Sequence, residues 1–223
     1  MFFGLSLAIN KINRYLCNMN MQANQNVSLS ENIILADADY IDLVTFRLSV
    51  QFERMIGRRI PKADLSRWVV DIALDGGLRV DKKSHETQLV LLHDKDKKQM
   101  DNFSPSVYDT ELNAQAFRDE QLGEFLVNAY PIGSMVSKEQ YLQETIKTIL
   151  EHDEVKRLMI IPNGEEGNDY ALVSQSLRDA PDDKRITVFA MQPMPGGNFR
   201  QEILGYSLMN ALGIKADELK TEE

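Results

Sequence analysis

Cysteine is almost missing from this chain. Cys17 is the single one in 223 residues, which excludes a disulfide framework and any cysteine-rich zinc site. No apolar run reaches the roughly 18 residues that a membrane-spanning helix needs. Basic residues are in deficit, 25 Lys and Arg against 34 Asp and Glu. The resulting net charge of −9 repels nucleic acid at long range, so an RNA partner would need a local basic patch or bridging metal ions. Histidine is scarce too. His85, His93 and His152 lack metal-ligand spacing, and only His93, at the end of an apolar run, stands where a functional histidine would. The G-x-G-x-x-G, Walker A, G-x-S-x-G and H-E-x-x-H signatures are all absent, as are internal repeats.

What remains is an ordinary globular composition, 43% hydrophobic and 26% charged, long enough for one sizeable α/β domain. The first 30 residues stand apart. In Met1 to Leu16 the apolar residues precede Lys11 and Arg14, the reverse of a signal peptide, and no cleavage site follows. Residues 1–30 therefore read as an N-terminal arm, disordered or upstream of a translation start at Met19 or Met21. Residues 31–214 read as a single domain and 215–223 as a charged tail. The expected location is cytoplasmic, with no membrane association.

Ile33 to Ala36 is a short apolar run typical of a buried strand, and it ends in Asp37 and Asp39. A helix follows, with Asp39 as N-cap, Val44, Leu48, Phe52 and Met55 as its apolar stripe, and Gly57 as its stop. Pro61 opens a second helix carrying Leu65, Trp68, Val69 and Ile72. Further strands are expected at Thr87 to His93, Leu122 to Tyr130, Arg157 to Pro162 and Arg185 to Met191, while residues 109–121 are left unassigned. Ser137 with Gln140 forms a capping box for a helix bearing Leu142, Ile146 and Ile149. Tyr170, Val173 and Leu177 mark another helix. Asn198 is the expected cap of a last helix, with Phe199, Ile203, Leu204, Leu208 and Leu212 turned inward. This alternation predicts an α/β fold of three layers, α/β/α, around a mostly parallel sheet of about five strands.

In such a sheet ligands gather at the carboxyl ends of the strands. Three of those ends carry acids: Asp37 and Asp39, Asp94 and Asp96, then Glu165, Glu166 and Asp169. Crowded carboxylates repel one another, and a divalent ion relieves that repulsion. The same acids are also suited to capping helix N-termini, where negative charge is favourable, and capping is the favoured reading. Both readings stand at this point.

The order of elements and two of the acidic segments resemble the NYN domain, a branch of the PIN-like nuclease fold, which is Rossmann-like. That family has an aspartate at the end of its first strand, matched here by Ile34 to Asp37 with Asp39 as the competing register. It also has a strand leading into a Ser-Gly-Asp-x-Asp-Phe type loop and a helix. The stretch from Met159 to Tyr170 is similar, with Asp169 and Tyr170 in place of Asp-Phe and Glu165 or Glu166 near the preceding acid. One departure is plain. The family places a further aspartate ahead of its middle helix, where Pro131 to Val136 holds no acid.

The resemblance implies a ribonuclease dependent on Mg²⁺ or Mn²⁺. Asp37, Asp169 and Glu166 would be catalytic, with Asp37, Asp39, Glu165, Glu166 and Asp169 as the metal-ligand set. Arg58, Arg59, Lys95, Lys97 and Lys98 would handle RNA phosphates. The missing acid and the acidic balance favour a second reading, a catalytically inactive relative that binds a protein partner or a nucleotide through the same edge.

Overall fold

The computed structural model describes residues 29–81, 83–133, 136–165 and 169–219. The expected N-terminal arm lies outside the described residues, apart from its last two positions. At the centre lies a seven-stranded mixed sheet. Its strands are β1 (Asn32–Asp37), β3 (His85–Asp94), β5 (Gln115–Asp119), β6 (Gly123–Ile132), β7 (Arg157–Ile161), β8 (Arg185–Ala190) and β9 (Arg200–Ile203). In space they run β5-β6-β3-β1-β7-β8-β9, all parallel except β5, which pairs antiparallel with β6. The helices are α1 (Ala38–Ile56), α2 (Leu65–Asp75), α3 (Lys138–Leu150), α4 (Asp169–Ser176) and α5 (Leu204–Ala211). A second, two-stranded sheet pairs β2 (Ala63–Asp64) with β4 (Phe103–Ser104).

The expected strands are therefore present, and two edge strands join them. β5 falls in the segment left unassigned. Its residues alternate between exposed and partly exposed, so it offers no continuous apolar run to read. β9 occupies residues expected to be helical. Asn198 does not cap the last helix, because Arg200–Ile203 pairs with β8 and α5 begins only at Leu204, behind Ile203, which makes no side-chain capping bond. Two other caps move. Asp37, not Asp39, caps α1 by accepting from the Tyr40 amide at 3.0 Å. α2 starts behind Asp64, which accepts from the Arg67 amide at 3.1 Å, and Pro61 stays in the preceding loop. Ser137 does cap α3, through the Gln140 amide at 3.2 Å.

Alternate residues of the central strands feed two separate apolar clusters, as a strand buried on both faces requires. Ile34 and Ala36 join α1, α2 and α5 through Ile41, Val44, Trp68, Ile72, Leu204 and Leu208. Ile33 and Leu35 join α3 and α4 through Leu142, Ile146, Val173 and Leu177. Trp68 is fully buried with its ring 5.7 Å from that of Phe103, edge to face, so its role is packing. Met55 leaves the expected stripe and is exposed. Past α5 the chain forms a 3-10 turn, Ala216–Leu219, so the described part of the charged tail is structured. Among the described residues no helix is long and apolar enough to cross a membrane.

Candidate functional site

The spatial order of the strands fixes where a site belongs. From β1 the chain builds outward through β3 to β6, then crosses back to lay β7 on the other side of β1. The sheet order reverses between β1 and β7, and the crevice beyond their carboxyl ends is where open α/β sheets bind ligands. Asp37 ends β1. The segment Pro162 to Glu165 leaves β7 beside it, as the pairing of Ala36 with Ile161 dictates.

Lys138, the first residue of α3, holds this rim together. Its Nζ donates to Asp37 Oδ1 at 3.0 Å and to Asp39 Oδ2 at 2.5 Å. A lysine at the first position of a helix opposes the positive end of the helix dipole. The two carboxylates offset that conflict. The side chains of Asp37 and Asp39 are 6% and 15% exposed and that of Lys138 is 26% exposed, so water screens the triad only partly. Burial pushes the Asp37 pKa up, against the opposing pull of Lys138 and the Tyr40 amide. Burial also works against ionisation of Asp39, but the hydrogen bond and charge of Lys138, with the Asp94 amide and Lys97, bring its pKa below the usual range. For Lys138, burial disfavours the charged form and the two aspartates more than offset it, so its pKa is raised.

Around the triad the rim is closed by three strand ends. The Asp94 amide donates to Asp39 Oδ2 at 2.8 Å, and Lys97 Nζ lies 3.2 Å from Asp39 Oδ1. Asp94 itself accepts from the Asp96 amide at 2.9 Å, which makes these two acids parts of a turn. His93 is buried, with Nδ1 2.9 Å from the Asp94 carbonyl and its ring stacked on Tyr108 at 3.7 Å. Burial lowers its pKa, which favours the neutral ring. Glu165 reaches from β7 to the first turns of α1. It forms an ion pair with Arg47, and its charge, after burial, raises the pKa of Tyr40, which also feels Asp37. Asp37 and Glu165, distant in sequence, thus flank the same phenol.

The candidate residues therefore divide. Asp37, Asp39, Glu165 and Lys97 meet on the rim. Glu166 and the side chain of Asp169 lie outside the described residues. Lys95 and Lys98 are exposed in the turn after β3. Arg58 and Arg59 are not brought to the rim. They follow the far end of the 19-residue α1, about 28 Å along its axis from Asp37. There Arg58 binds Glu218 at 2.7 Å and Arg59 lies 3.5 Å from Glu53. Among the described residues no group of three or more His, Cys, Asp or Glu is arranged to hold a metal ion.

Sequence reasoning missed Lys138, Tyr40 and Arg47. The signal for Lys138 was available: a basic residue directly behind the Ser137 cap, where the helix dipole disfavours it, just after a strand. No curated protein matches the chain, and no solved structure does. Residues 26–219 match a family of unknown function, DUF6621. The match covers most of the chain, which therefore belongs to the DUF6621 family.

Proposed function

We propose that the chain is a PIN-like, three-layer α/β/α protein whose strand-end rim is a docking site for a protein partner, not a hydrolytic centre. The observation that carries this reading is the seat of Lys138 between Asp37 and Asp39. A divalent ion does not fit the pair while that ammonium lies between them, because the converging oxygens already face a cation. The lysine also follows the segment where the resemblance would place an acid. Beside the rim, α1 exposes Leu43 and Phe46, 37% and 52% accessible, next to the Arg47–Glu165 pair. Apolar side chains bordered by paired charges suit a polypeptide surface better than a phosphodiester backbone.

One observation favours the second reading, metal-dependent RNA cleavage. Acids from β1 and the β7 loop converge at the point where strand order reverses. Calorimetric titration of Mn²⁺, with cleavage of labelled RNA by wild type and Asp37→Asn, separates the two. The docking reading expects no Mn²⁺ heat from the wild type and no cleavage that depends on Asp37. Mn²⁺ binding together with Asp37-dependent cleavage would establish the nuclease instead.

A further inference from the structure

The opposite edge of the sheet concentrates positive charge in a chain whose net charge is −9. Arg157 and Arg185 are register partners at the starts of β7 and β8. Arg200 pairs with Thr187, two residues beyond Arg185. Side chains in register, or two residues apart on a strand, share a face of a sheet. Three neighbouring strands therefore project three arginines to one side. That side is the one covered by α2, whose end at Gly76 and Gly77 lies over them. Arg157 Nη2 donates to the Gly77 carbonyl at 3.2 Å, and a Cβ built on Gly77 would lie 3.4 Å from Arg200 Nη1.

Like charges in register repel, so this arrangement needs compensation, and the surroundings supply only part of it. Arg79 donates to the Leu74 and Leu78 carbonyls and Arg157 to the Gly77 carbonyl, which together serve the end of α2, while Arg157 also donates to Asn32 Oδ1 on β1. Arg200 reaches Glu202 at 3.1 Å. The Arg157 Nε is buried with no hydrogen-bond partner. The guanidinium of Arg185 has no hydrogen-bond or ion-pair partner among the described residues. Burial, then the charge of Arg185, lower the Arg157 pKa; the charge of Glu31 opposes them and that of Arg79 adds to them, so the cluster is compensated only in part.

A pocket of about 330 Å³ opens here, lined by Gly76, Gly77, Arg185, Thr187, Phe199 and Arg200 among others. Its volume suits a small ligand. Guanidinium forks match phosphate geometry. Phe199 also lines the pocket, but its ring packs edge to face on Tyr170, 6.1 Å away, with the cluster on the other face of the sheet. The acidic chain as a whole disfavours a polyanion, so a small phosphomonoester fits better than a nucleic acid.

We propose that this pocket binds the phosphate of a small phosphomonoester, on Arg185 and Arg200 with Arg157 behind them. The site lies at the opposite edge of the sheet from the rim and does not depend on the reading given for it. Calorimetry of the full chain with AMP, inorganic phosphate, adenosine and citrate tests it. AMP and phosphate should both bind, and adenosine should give no heat. Arg185→Gln and Arg200→Gln should each weaken AMP by about tenfold. Arg178→Gln, an exposed arginine elsewhere, should change nothing. Arg185 is exposed and its guanidinium has no partner among the described residues, so its variant should unfold at the wild-type temperature. The proposal is overturned if millimolar AMP and phosphate give no heat, if Arg185→Gln binds AMP as the wild type does, or if citrate binds better than AMP.

Discussion

Lys138→Met removes the ammonium from the rim while keeping most of the side chain's apolar stem. Two carboxylates, 6% and 15% exposed, then lose the cation that bridges them, and only the more exposed Lys97, 3.2 Å from Asp39, remains. Deleting one partner of a fully buried ion pair costs about 3–5 kcal/mol. Lys138 is 26% exposed, so water recovers part of that loss, and about 2–3 kcal/mol is the expected destabilisation. For a chain of this length the shift in Tm is roughly 5–10 °C.

The pH dependence carries a sign. Without Lys138, the carboxyl pKa values of Asp37 and Asp39 both rise, because its charge and hydrogen bonds lower both in the wild type. As the pH falls through those raised values the aspartates protonate and the repulsion between them disappears. The penalty of Lys138→Met should therefore be largest near neutral pH and shrink as the solution is acidified. Urea unfolding of both proteins across that range measures it.

Mn²⁺ supplies the second half of the test. The variant presents two hard oxygen donors with no cation between them. Saturating Mn²⁺, at about 100 times its dissociation constant, should restore about 2.7 kcal/mol to Lys138→Met and nothing to the wild type. A variant within about 0.5 kcal/mol of wild type would refute the claim that Lys138 holds the rim together. An equal Mn²⁺ response in the two proteins would refute the claim that it keeps a divalent ion out.

Three further outcomes follow from the same structure. The pKa of Tyr130 is pushed up to about 12, chiefly by burial, and burial also raises Tyr40 and Tyr108. Unfolded tyrosines lose their protons near pH 10 while these retain theirs, and Lys138 acts in the same sense. Stability should thus be fully present below about pH 10 and fall as pH rises from there, read as a declining urea midpoint. Trp68→Ala empties the contact with Phe103 at a fully buried position, and chemical unfolding should show a loss of about 3–5 kcal/mol. Arg58→Ala should release the turn at Ala216–Leu219, because Glu218, whose pKa Arg58 pulls down to about 2, loses its partner. Faster amide exchange in that turn, with the response of Lys138→Met to Mn²⁺ unchanged, is the expected result.

The legible parts of this fold are those where one physical signal dominates. β1, β3, β7 and β8 are short apolar runs bounded by charge or turns, because strands buried on both faces tolerate little else. Gly57 ended α1 as expected, since the chain there needs φ of 69°. β5 and β9 were missed for the opposite reason. Edge strands are covered on one side or neither, and Arg200, Gln201 and Glu202 read as polar helix or loop until β8 is there to pair with them. Asp39 was misjudged as the cap because Asp37 satisfies the same local rule two residues earlier.

The site divides along the same line. Asp37 and Asp39 were visible because acids at a strand's end stand out against an apolar run. Their partner was not, because Lys138 lies about a hundred residues away and nothing local ties it to them. Yet both it and the Arg157–Arg185 pair break a local preference, one against a helix dipole and the other as like charges in register. Such violations persist only where something offsets them. At the rim the offset is visible in Asp37 and Asp39. At the opposite edge it is incomplete within the described residues, and that difference makes the arginine pocket, rather than the acidic rim, the place to look for a small anionic ligand.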